Sequence, residues 1–152
     1  MGEPMSSMLG SEFETSLRIL LLLQAIQGET MTEGAIAALD FITVYSRDFN
    51  VTDSNLHGDS TYRFGEFATR REAVKRALKQ LVMDGLIGVS STTNGFTYKL
   101  SDEGLAFVSA LNSEYADAYY EIAIQAIAVM GKSERKLINI INQQALASLR
   151  RE

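Results

Sequence analysis

The sequence predicts a mainly α-helical chain with one small β-hairpin. Three observations carry this. Apolar residues recur at three- and four-residue spacing along most of the chain, the period of helices with one buried stripe. The one proline is Pro4, so no later helix interior is broken by that residue. Between Thr69 and Leu100 a helix pattern runs into Asp84-Gly85. A short apolar run (Leu86 to Val89), a turn-rich tip (Ser90 to Gly95) and a second run (Phe96 to Leu100) follow. Helix, strand, turn, strand is the ending of a winged helix-turn-helix-like domain. The expected division is a flexible N-terminus over 1–11, a winged-helix-like domain over 12–112, and C-terminal helices over 113–152.

Taken in order, residues 1 to 10 are rich in Gly, Ser and Met and are expected to be disordered or weakly docked. The first helix is predicted from about Glu12 to Gln27, with Phe13, Leu17, Leu20, Leu21 and Ile26 on one stripe and Leu22 and Leu23 widening it. Thr30 or Thr32 can cap a second helix, Met31 to Ser46, whose inner side is Ile36, Leu39, Ile42 or Thr43, and Tyr45. Asp48 to Tyr62 is a long polar loop. The third helix starts near Glu66, with Phe67, Val74, Leu78 and Leu81 facing inward and Lys75, Arg76 and Lys79 outward. Ser101 caps a short helix. A longer one is predicted from Glu114 to Met130, and a last one from Ser133 to about Arg150. The stripe of that last helix, Leu137, Ile138, Ile141, Ala145 and Leu149, is expected to fold back on the first helix or to meet a partner helix.

With 152 residues and 46% hydrophobic content, the chain can bury a useful core. It lacks cysteine, which removes disulfides and thiolate chemistry and suits the cytoplasm. The apolar run Leu17 to Ile26 holds Arg18 and Gln24 and falls short of the ~20 residues a bilayer needs, and it lies too far inside to read as a signal peptide. Net charge is −5 but uneven. Arg63 to Lys79 holds six cations against Glu66 and Glu72, whereas residues 1 to 62 hold two cations against nine acids. Such an acidic body with one basic face suits an oriented contact better than a general nucleic-acid coat.

Catalysis has little to work with. His57 is the only histidine, in a loop offering only Asp53 and Asp59 as further metal ligands. No phosphate-binding Gly-rich loop and no nucleophile elbow occurs. No cofactor is expected. Three readings remain for the basic helix: recognition of a DNA major groove, with Lys99 adding a charge from the wing; docking on an acidic protein; or a solvated surface. In the DNA reading Arg70, Arg71, Lys75, Arg76 and Lys79 reach phosphates and bases; Lys75, Arg76, Lys79 and Lys99 are the candidates for contact with nucleic acid or partner. Arg63, Arg70 and Arg71 are expected to be structural, pairing with Asp40, Asp48, Glu66 or Glu72.

The run Ala77-Leu78-x-x-Leu81-Val82-x-Asp84-Gly85-Leu86-Ile87, then Tyr98-x-Leu100-Ser101-x-x-Gly104, resembles the end of many bacterial winged-helix regulators. A more specific likeness runs from Phe13 to Glu121. It rests on Ser16 to Leu23, Asp40-x-x-x-Val44-Tyr45-Ser46-x-Asp48-Phe49, Leu56-His57, Tyr62-Arg63-x-Gly65-Glu66, Arg70-Arg71-Glu72 and Ser113-x-Tyr115-Ala116. In these blocks the chain resembles the middle components of bacterial ABC-three-component systems, akin to the small subunit of Lamassu anti-phage defence. The segment after about Ala128 lies beyond the likeness. The resemblance implies a non-catalytic adaptor that binds an SMC/Rad50-like ATPase and couples it to an effector nuclease, with double-stranded DNA touched once the complex assembles and no membrane involved. It also implies that the long loop packs on the body through Leu56 and Tyr62. The alternative is a sequence-specific winged-helix transcriptional regulator, dimeric through its C-terminal helices.

Overall fold

The computed structural model describes residues 3–26, 28–56 and 63–150; the side chains of residues 3–11 and 63 lie outside that description. The chain forms α1 (Glu3–Ala25), β1 (Met31–Thr32), α2 (Glu33–Val44), α3 (Phe67–Met83), β2 (Ile87–Thr92), β3 (Gly95–Leu100), α4 (Asp102–Ser109), α5 (Glu114–Met130) and α6 (Glu134–Arg150). Two 3₁₀ turns, Ser46–Phe49 and Arg63–Glu66, bracket the long loop. The fold is therefore mainly α with one small antiparallel sheet, ordered β1-β3-β2. A strand between the first two helices that pairs with the hairpin is compatible with a winged helix. Among the described residues no helix is long and apolar enough to cross a membrane.

α1 begins at Glu3, so helix runs through the stretch expected to be flexible. Pro4 does not prevent this, because it falls in the first turn, where its missing N–H has no intrahelical partner to lose.

α2 is the centre of the molecule. Every residue from Gly34 to Val44 is buried, not one face alone. Its contacts explain why: α1, α3, α5 and α6 all pack against it. Small residues at Gly34, Ala35, Ala37 and Ala38 let those helices approach on the sides that periodicity leaves open to solvent. Thr32 caps it, accepting from the Ala35 amide at 3.2 Å and donating to Glu134 Oε1 at 2.6 Å. That second bond ties α6 to the start of α2. The stripe of α6 accordingly folds on α2 and not on α1: Leu137 and Ile141 are buried, whereas Leu149 stays exposed.

Phe41 is the hub between α2 and the loop. Its ring lies 5.2 Å from Tyr45, 6.2 Å from Phe49, 5.7 Å from Phe64 and 5.2 Å from Phe67. Phe49 and Phe64 meet each other at 6.2 Å, closing the two ends of the loop on one aromatic cluster. Leu56 packs on the core as expected, and its amide donates to the Val44 carbonyl at 3.1 Å. Tyr62 and His57 lie outside the described residues.

α3 ends by a Schellman motif. Gly85 adopts φ 81°, its amide donates to Val82 O at 3.1 Å, and the Leu86 amide donates to Leu81 O at 3.0 Å. This turn launches the hairpin. The strands are longer than expected: Ser90, Ser91 and Thr92 belong to β2, and only Thr93 and Asn94 make the turn before Gly95. α4 then starts against the hairpin. Ser101 Oγ accepts from the Gly104 amide at 3.0 Å and donates to Gly85 O at 2.6 Å.

Candidate functional site

Two charged arrangements stand out, one sealed in the core and one at the surface. The sealed one joins α1, α2 and α5. Arg18 Nε donates to Asp40 Oδ1 at 2.8 Å and its NH2 group reaches Oδ2 at 3.4 Å. Tyr119 donates its hydroxyl to the same Oδ1 at 2.8 Å. Arg18 and Asp40 are 5% and 1% exposed and Tyr119 fully buried, so no substrate reaches them. Burial pushes the Asp40 carboxyl up, but the adjacent Arg18 and the bonds from Arg18 and Tyr119 outweigh burial and hold it below the usual carboxylate range. Burial likewise works against the Arg18 cation, and Asp40 more than restores it. Burial first, then the Asp40 charge, drives Tyr119 well above the ordinary phenol range, so it stays a donor.

This pair revises one expectation. Asp40 was one of four acids expected to serve Arg63, Arg70 and Arg71, and Arg18 occupies it from 22 positions upstream. A lone Arg in Leu17–Leu23 and a lone Asp in the apolar α2 were the signal: each requires a partner when buried.

Glu66 and Arg70 come together, with Nε–Oε1 at 3.7 Å. Tyr45 donates its hydroxyl to Glu66 at 3.0 Å, and the Arg70 guanidinium lies 5.5 Å from the Tyr45 ring. Burial, then the bond to Glu66, raises the Tyr45 phenol. Arg71 is exposed, with its guanidinium 5.7 Å from the Phe67 ring. The Arg63 side chain lies outside the described residues.

The surface arrangement is built on α3 and the hairpin. Val74, Ala77, Leu78 and Leu81 bury one face of α3, which leaves Lys75, Arg76 and Lys79 exposed. They do not form one patch. Lys75 and Lys79, one turn apart, border an apolar groove of about 420 Å³. Val82, Met83, Val89, Phe96 and Tyr98 line it, and Glu33 stands beside Tyr98. Arg76 instead borders a cleft between α1 and α3, with Glu12, Thr15 and Gln80. Lys99 alternates with Tyr98 along β3 and so projects from the opposite side of the sheet. Val89 pairs with Tyr98, and Phe96 with Ser91, which puts Val89, Phe96 and Tyr98 on the groove side.

Sequence reasoning found the cations and missed their apolar neighbours. Val89 and Phe96 look like ordinary inward strand residues, yet they are 45% and 61% exposed, and Met83 is 74% exposed. Nothing in a strand's own pattern tells a covered face from an uncovered one.

Among the described residues no cluster of three or more His, Asp or Glu side chains could hold a metal. No curated protein and no solved structure matches the chain. A family model does match, over residues 8–151, and so takes in both C-terminal helices, beyond the Phe13–Glu121 span of the sequence motifs. With most of α1 and all of α2 to α6 inside that match, the chain belongs to the family described as ABC-three component (ABC-3C) system Middle Component 2.

Proposed function

We propose that the protein is a non-catalytic adaptor of an anti-phage defence complex in the cytoplasm, akin to the Lamassu small subunit. It binds an SMC/Rad50-like ATPase and couples it to an effector nuclease. The observation that supports this best is the exposed cationic side of α3 beside exposed apolar side chains of the hairpin, on a chain that belongs to a middle-component family. Cations next to a desolvatable apolar surface favour a protein partner, since apolar contact supplies affinity while charge sets orientation and on-rate. The buried Arg18, Asp40 and Tyr119 serve the fold in this reading, which leaves the surface for binding.

Lys75, Arg76 and Lys79, with Lys99, are the contact residues. The experiment is co-purification of the full chain with the ATPase and nuclease encoded beside it. Wild type should give a stable complex, and Lys75→Glu/Arg76→Glu/Lys79→Glu should weaken it at least about tenfold without loss of folding. Tight binding of the isolated chain to one operator duplex at physiological salt would favour a winged-helix regulator instead. Double-stranded DNA contact that appears only in the assembled complex fits the adaptor.

A further inference from the structure

We propose that the groove between α3 and the hairpin receives an acidic amphipathic helix of the protein partner. This rests on the adaptor reading and names the chemistry of the segment that the site takes. Its volume of about 420 Å³ lies within the ~300–1,000 Å³ of sites that bury most of a ligand. The walls are the side chains of Val82, Met83, Val89 and Phe96, and the last three are large and exposed. A monomer gains nothing by holding three such side chains in water around a concavity, and a grouped apolar exposure of this kind marks a contact surface.

The rim decides what the occupant carries. Lys75 and Lys79 lie one helical turn apart on α3 and border the same side of the groove. Two carboxylates one turn apart on a facing helix match that spacing, while apolar side chains at i, i+3 or i+4, and i+7 enter the groove. The opposite polarity appears once, at Glu33, close enough to Tyr98 to help burial raise its phenol. Glu33 disfavours an acidic residue at that position and so gives the bound helix a direction. A DNA backbone fits less well, because phosphates drawn to Lys75 and Lys79 would lie against Met83, Val89 and Phe96. Those side chains offer phosphates no donor and desolvate them at a cost.

The test uses the full chain and the ATPase and nuclease subunits of its own system. Val89→Ser/Phe96→Ser and Lys75→Glu/Lys79→Glu should each weaken capture about tenfold or more. Glu103→Lys and Glu121→Lys, exposed on α4 and α5 and off the groove, should stay within about twofold of wild type. Circular dichroism and urea midpoints establish that each variant folds. A photocrosslinking residue at position 96 should label a partner segment with at least two carboxylates within one helical turn and Leu, Ile or Phe on the same face. Loss of capture with the lysine pair but not with Val89→Ser/Phe96→Ser would overturn the groove and leave the adaptor intact. A crosslink to DNA, to a second copy of this chain or to a basic segment would overturn it too. Failure of wild type to capture either subunit would refute the adaptor reading itself.

Discussion

Removing the Asp40 carboxylate tests the core severely. Asp40→Ala leaves the Arg18 guanidinium 5% exposed, held between α1 and α2 with its main acceptor gone. Breaking a buried pair this way costs about 3–5 kcal/mol, because the remaining charge is stranded. The Tyr119 hydroxyl loses its acceptor in the same step, a further penalty of about 1–3 kcal/mol if nothing replaces it. Relaxation will return part of this. A net loss of about 4 kcal/mol is a large share of a domain stability of roughly 5–15 kcal/mol. In urea it should move the midpoint by about 2 M for a slope near 2 kcal/mol/M. Replacing both partners, Arg18→Met/Asp40→Leu, should recover most of the loss, since no charge is then left alone. Asp40 also sets a pH dependence. Its folded pKa is depressed, so its stabilisation is present above the unfolded value of about 3.9 and is lost as pH falls through the folded value. The gap between wild type and Asp40→Asn should therefore shrink as pH drops below about 4. If Asp40→Ala costs less than about 1 kcal/mol, or the double variant is no more stable than the single, the buried pair is not what joins these helices.

Two further changes probe how the hairpin is held. A Cβ at Gly104 would collide with the Leu86 carbonyl oxygen, so α4 can approach the hairpin only over a glycine. Gly104→Ala should cost about 1–3 kcal/mol and lower the thermal midpoint, and an unchanged midpoint would mean that α4 sits further off. Gly85 holds φ 81° with open space around it, so Gly85→Ala meets only backbone strain. A loss of about 1–2 kcal/mol in chemical denaturation is expected there, and a neutral or stabilising result would rule out the left-handed end of α3.

Local chemistry made several elements legible. Ser113 and Ser101 accept from the amides three residues on, at 2.9 and 3.0 Å, so α5 and α4 begin where the capping residues lie. α5 spans Glu114–Met130, the span its stripe and Gly131 implied. On α3, inward Val74, Leu78 and Leu81 and outward Lys75, Arg76 and Lys79 follow from helical spacing alone. The candidate site was half legible in the same way: its cations could be read, because charge and helix phase are local. Which of them share a surface could not, because that depends on how α3 meets α1 and the sheet. Lys75 and Lys79 flank one groove, Arg76 turns to the α1 side, and Lys99 stands across the sheet.

The sequence by itself determined the helix count after residue 100, the cap residues, the helix–turn–hairpin order and the concentration of positive charge, all of which depend on neighbours within a few positions. Tertiary structure decided the rest. α2 is buried on every side because four helices close on its small residues, and periodicity within α2 cannot count its neighbours. Arg18, 22 positions away, takes Asp40 because packing brings α1 and α2 together, and packing sets which charges share a low-dielectric site. Met83, Val89 and Phe96 remain uncovered because no segment among the described residues lies over them, a fact of the assembled surface that no stretch of residues carries alone.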